Sequence, residues 1–76
     1  MLSSVTKVIT ESLVTFGADA DQISRDAELE ALDIDSLDLA ELSQIIEEQF
    51  GVELTSSDVA EIRTVGDAVD LVSERA

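Results

Sequence analysis

The chain has no cysteine, histidine, proline, tryptophan or tyrosine. Without cysteine it can form neither a disulfide nor a thiolate metal site. Without histidine a self-contained Ser-His-Asp triad is excluded, and a conventional zinc site loses its usual ligands. Phe16 and Phe50 are the only aromatics, too few for a base-stacking platform. Basic residues are scarce: 4 Lys and Arg stand against 18 Asp and Glu, a formal charge of −14. Such a surface repels nucleic-acid phosphates and anionic lipids and calls for basic partners. No run approaches the roughly 20 apolar residues of a membrane span. The N-terminus lacks the cationic start and apolar stretch of a secretory signal. These absences point to a soluble, cytoplasmic protein that binds neither nucleic acid nor membrane, and self-repulsion favours a monomer.

What is present argues for a folded unit. Hydrophobic residues make up 45% of the chain, too many for an acidic disordered tail. The 76 residues make one domain, 1–76. A chain this short buries only about 60% of the surface its unfolded form exposes, so its stability is modest.

Periodicity supplies the elements. Val5, Val8, Ile9, Leu13 and Phe16 fall at helical spacing, and Gly17 follows as a stop. Residues 17–35 read as a long loop anchored by Ile23, Leu29, Leu32 and Ile34, with a short turn near Ala27–Leu32. The clearest helix runs from Ser36 to Phe50, with Leu39, Leu42, Ile46 and Phe50 as its apolar stripe. Asp35 or Ser36 can cap it, and Gly51 ends it. Val52-Glu53-Leu54 reads as extended, and Ser56 or Ser57 can cap a short turn through Ile62. Thr64-Val65-Gly66-Asp67 resembles a capping box before a last helix with Val65, Ala68, Val69 and Val72 as its stripe. The expected fold is all-α: a small bundle of three helices, with a short fourth, and a long loop between the first and second.

The acids are concentrated. Residues 26–62 hold twelve acids and no base, and the clearest helix lies inside that block. A solvated face explains many such runs. Here the block coincides with the helix start that follows the long loop, which favours a docking surface for a basic partner.

That start reads Leu32-Asp33-Ile34-Asp35-Ser36-Leu37-Asp38. A serine there is exposed, and a phosphate attached to it lies near unpaired helix N–H groups. On position alone, Ser36 serves equally well as a helix cap. Asp33 and Asp35 also raise a calcium loop of the EF-hand type. That loop needs an oxygen ligand at 37, glycine at 38 and glutamate at 44, where this chain has Leu37, Asp38 and Gln44.

The wider pattern decides. Asp35-Ser36-Leu37 with Asp38 and Glu41 resembles the phosphopantetheine attachment site of acyl carrier proteins. The likeness covers the whole chain, through Leu13, Phe16, Leu29, Leu32, Glu47-Glu48, Phe50, Ile62 and Thr64-Val65. It implies a carrier rather than an enzyme, serving fatty-acid or polyketide synthesis. A phosphopantetheinyl transferase moves 4′-phosphopantetheine from coenzyme A onto Ser36, and the arm's thiol then bears acyl groups. Magnesium belongs to the transferase reaction, and no metal site is implied here. Asp35 and Asp38 match positions that meet the transferase. Leu37, Glu41, Glu47 and Glu48 match the face that docks on basic patches of acyltransferases, ketosynthases and other synthase enzymes. Leu42, Ile46, Ile62, Ala68 and Leu71 are the expected acyl-chain lining. Asp33 stands where many members have glycine, and Gln44 where fatty-acid carriers often have an apolar contact. The Leu-Asp-Ile-Asp-Ser-Leu and Arg63-Thr64-Val65-Gly66-Asp67 wording is similar to some actinobacterial carriers. The competing reading is an acidic helical interaction module that is never modified.

Overall fold

The computed structural model describes residues 4–76. Four α-helices follow in order: α1 (Ser4–Thr15), α2 (Ser36–Phe50), α3 (Ser56–Glu61) and α4 (Val65–Arg75). Helix α1 packs against both α4 and α2. Ile9, Leu13, Ile46 and Val72 are the largest side chains sealed from solvent, so the three longer helices meet at one apolar centre. Their positions are those that the helical period selects.

Each helix is stopped locally. After α1 the Gly17 amide donates to the Val14 carbonyl and the Ala18 amide to the Leu13 carbonyl, both at 3.0 Å. This is a Schellman ending, and it places Gly17 at φ 109°, where a side chain is strained. Helix α2 ends at Gly51, whose amide reaches the Glu47 carbonyl at 2.9 Å.

Two expectations need correction. Helix α3 is capped by Thr55, not by Ser56 or Ser57. The Thr55 hydroxyl accepts from the Asp58 amide at 3.2 Å, and the Asp58 carboxylate accepts from the Thr55 amide at 2.9 Å. The acid three residues on decides the cap, because it lets Thr55 form a reciprocal box. The long loop carries two single-turn 3-10 helices, at Ala20–Gln22 and Glu30–Leu32; the first has no counterpart in the sequence reading.

The loop is held by main-chain bonds. The Gly66 amide donates to the Arg25 carbonyl (2.9 Å), Val65 to Ala27 (3.0 Å) and Leu29 to Arg63 (2.9 Å). Glu28 and Thr64 form an antiparallel bridge within this seam. The backbones approach so closely that a Cβ on Gly66 would sit 2.9 Å from the Arg25 carbonyl oxygen. The seam fixes the loop against the start of α4, and Ile34, buried at the loop's end, sets where α2 begins.

Candidate functional site

The start of α2 is built from residues 33–38. Asp33 has φ 62° and closes the Glu30–Leu32 turn. Aspartate tolerates this left-handed geometry better than most residues, and glycine better still. Ile34 then enters the core, and its amide donates to the Leu29 carbonyl at 3.0 Å. Asp35 is the N-cap: its carboxylate accepts from the Asp38 amide at 3.0 Å, and Asp38 accepts from the Asp35 amide at a longer 3.4 Å. This settles the choice left open between Asp35 and Ser36. Ser36 is the first helical residue, outside the cap, with its side chain exposed. The two carboxylates that bracket it are occupied with the backbone, so the hydroxyl is presented rather than consumed.

Helical geometry sorts the other site residues. Leu37, Glu41, Gln44 and Glu48 recur at spacings of four, three and four, along one exposed stripe. Leu37 is 80% exposed, an unusual state for so large an apolar side chain. Glu47 lies instead on the Ser36 stripe, with Ala40 and Ser43. Asp38 is half-buried on another side of the helix. The structure therefore brings Leu37, Glu41 and Glu48 together, sets Glu47 beside Ser36, and gives Asp38 to the cap.

A groove of about 330 Å³ begins at Ser36 and is lined by Ala40, Ser43, Leu54, Thr55, Ser56 and Val59. Sequence reasoning missed these lining residues. The signal lay in Ala40 and Ser43, small residues four and seven positions after Ser36. A second cavity, of about 300 Å³, lies under the loop and is lined by Leu29, Ile34, Leu39, Ile62, Glu28, Glu30 and Arg63. Of the expected acyl lining, Ile62 borders this cavity. Ile62 and Leu71 also border a cleft rimmed by Glu61, Asp67, Asp70 and Glu74. Leu42, Ile46 and Ala68 are sealed in the core.

Charge pairing fixes the far side of the groove. Asp58 is bound at both carboxylate oxygens by Arg75, at 2.6 and 2.7 Å. That pair, and then the Thr55 amide, hold the Asp58 carboxyl well below the usual carboxylate range. Asp67 is also lowered, by the Arg63 and Thr64 amides that it accepts. The Arg25–Asp70 pair at 2.7 Å is exposed on both sides and contributes little. Among the described residues no group of three or more acids is placed to hold a metal ion, and no helix is long and apolar enough to cross a membrane.

A four-helix domain with a presented serine at a helix start and a groove beside it is a scaffold for carrying a tethered group. The family model for the phosphopantetheine attachment site matches residues 6–72, from α1 into α4. The chain belongs to this family: it is a phosphopantetheine-carrying carrier protein, and 4′-phosphopantetheine is its covalent cofactor. Carrier domains of this family are non-catalytic and work with phosphopantetheinyl transferases and synthase enzymes. The residues present fit such a group. An exposed serine oxygen opens onto a groove walled largely by small side chains, where a flexible arm can lie without displacing the core.

Proposed function

We propose that the protein carries acyl intermediates as thioesters in the cytoplasm, for fatty-acid or polyketide assembly, with Ser36 as the attachment point. The observation that carries this reading is the start of α2: an exposed serine outside its own helix cap, followed at once by the exposed Leu37. In the loading step Ser36 Oγ bonds to phosphorus as the pyrophosphate bond of coenzyme A breaks. The serine proton leaves with the base of the transferase, and adenosine 3′,5′-bisphosphate departs. Asp35 and Asp38 hold the serine at the helix start and face the transferase. The arm supplies a terminal thiol, which forms the thioester.

Leu37, Glu41, Glu47 and Glu48 make the docking face for basic patches on acyltransferases and ketosynthases. The acidic charge steers encounter and leaves the contact salt-sensitive, which suits a shuttle that must also depart. Tethering then raises the cargo's effective concentration at each active site. Leu42, Ile46, Ile62, Ala68 and Leu71 line the path of a long acyl chain. Because Leu42, Ile46 and Ala68 are sealed, a chain reaching them must displace core contacts, so long cargo costs the fold more than short cargo.

The test is acyl transfer to the loaded protein. Wild type treated with coenzyme A and a broad transferase, then with an acyltransferase and acyl-coenzyme A, should gain a hydroxylamine-labile acyl mass. Ser36→Ala should gain neither arm nor acyl group, and its stability should change by no more than about 0.5 kcal/mol, because Asp35 is the cap. An alanine variant that still accepts the arm contradicts the site. A loaded wild type that no acyltransferase charges contradicts the acyl reading.

A further inference from the structure

We infer that the cavity under the loop receives a short acyl group bearing an oxygen substituent, and that Arg63 selects for that oxygen. The inference rests on the carrier reading above and adds the class of cargo. The cavity is bordered by Ile34 and Leu39, which flank Ser36 two residues before and three residues after it. Its volume of about 300 Å³ has room for about ten non-hydrogen atoms at the roughly 30 Å³ of a water molecule. That suits a short chain and excludes a long one.

The floor and the rim differ in chemistry. Leu29, Ile34, Leu39 and Ile62 give an aliphatic floor, whereas Glu28, Glu30 and Arg63 stand around it. Arg25 and Arg75 are committed to Asp70 and Asp58, but Arg63 has no ion-pair partner among the described residues. In a chain of charge −14, a guanidinium left unpaired beside a cavity is a donor held available. A saturated acyl chain covers the floor and gives the rim nothing to bond. A hydroxyl on the chain accepts from Arg63 and donates to Glu28 or Glu30, so both kinds of rim group are satisfied. A carboxylate-ended cargo meets one cation and two anions and is repelled on balance. The geometry therefore favours a neutral hydroxyacyl group. The seam from Arg25 to Leu29 forms the outer wall, so the same main-chain bonds that hold the loop also hold this berth closed.

The experiment loads Ser36 with octanoyl or 3-hydroxyoctanoyl pantetheine and checks each product by intact mass. The rate of thioester cleavage by hydroxylamine is then divided by the rate for the same thioester on free pantetheine. In wild type the hydroxyacyl form should be protected about fivefold more than the saturated form, the effect of one net hydrogen bond. Arg63→Gln should erase that difference and melt as wild type does, since only the Arg63 main chain serves the seam. Leu39→Phe, which fills the cavity, should abolish protection of both chains. Equal protection of the two cargoes in wild type, a preference that survives Arg63→Gln, or protection that survives Leu39→Phe would each overturn the inference while leaving the carrier reading intact. Failure of Ser36 to load at all would overturn both, and the mass spectrum identifies that case.

Discussion

The two sides of α2 are held by different physics. Towards α1 and α4 the helix buries Leu42 and Ile46, and stability comes from close-packed aliphatic side chains with few polar atoms. Towards the loop and α3 it faces grooves, exposed acids and a set of directional bonds: two capping boxes, the main-chain seam and the Asp58–Arg75 pair. The first side tolerates little change of shape. The second can open at one bond without dissolving the core. A carrier needs both, a rigid frame to position Ser36 and a yielding side where arm and cargo lie.

The largest effect should come from the rigid side. Ile46→Ala removes a fully buried side chain and should cost about 3 kcal/mol in urea denaturation. A loss below about 1 kcal/mol would mean that α2 is not packed as described. Next comes the seam. Gly66→Ala places a Cβ against the Arg25 carbonyl and should cost about 1–2 kcal/mol, despite the better helix propensity of alanine. Amide exchange at Leu29, Val65 and Gly66 should quicken with it. Stabilisation by this substitution, the outcome that propensity alone demands, would show that the seam constrains nothing.

A smaller effect concerns pH. Asp58 and Asp67 have folded-state carboxyls held below their ordinary range. Their contribution is therefore fully present above the unfolded value of about 4 and is lost as pH falls through that range towards the folded values. Asp58→Asn should lower the melting temperature at pH 7, and its deficit against wild type should shrink as the pH is taken down to about 2. A deficit independent of pH would assign Asp58 a role through shape alone. The smallest effect is general screening. Raising ionic strength from about 0.01 to 0.15 M shortens the Debye length from about 30 to 8 Å, and the melting temperature of a chain at −14 should rise. A flat or falling response would contradict self-repulsion.

The same contrast explains what could be read from the chain. Helices α1, α2 and α4 were legible because burial imposes a period on Ile9, Leu13, Leu42, Ile46, Val69 and Val72. The attachment motif was legible because Asp35-Ser36-Leu37 is local. The yielding side was not. The seam joins main-chain groups, which leave no side-chain signature. Arg75 meets Asp58 across 17 positions and Arg25 meets Asp70 across 45, pairings that no local pattern specifies. Thr55 was passed over for two adjacent serines because its advantage depends on Asp58 three residues on. The berth under the loop, with Leu29, Leu39 and Arg63, appears only once the loop is folded onto α4.

The most direct measurement is the location of the arm. The folded protein is incubated with coenzyme A, magnesium and a broad transferase, then digested and its modified peptide fragmented. The account predicts one phosphopantetheine group per chain, on Ser36. No addition to a folded sample from a transferase active on a control carrier, or addition at another serine, would contradict it and leave an acidic docking module in its place.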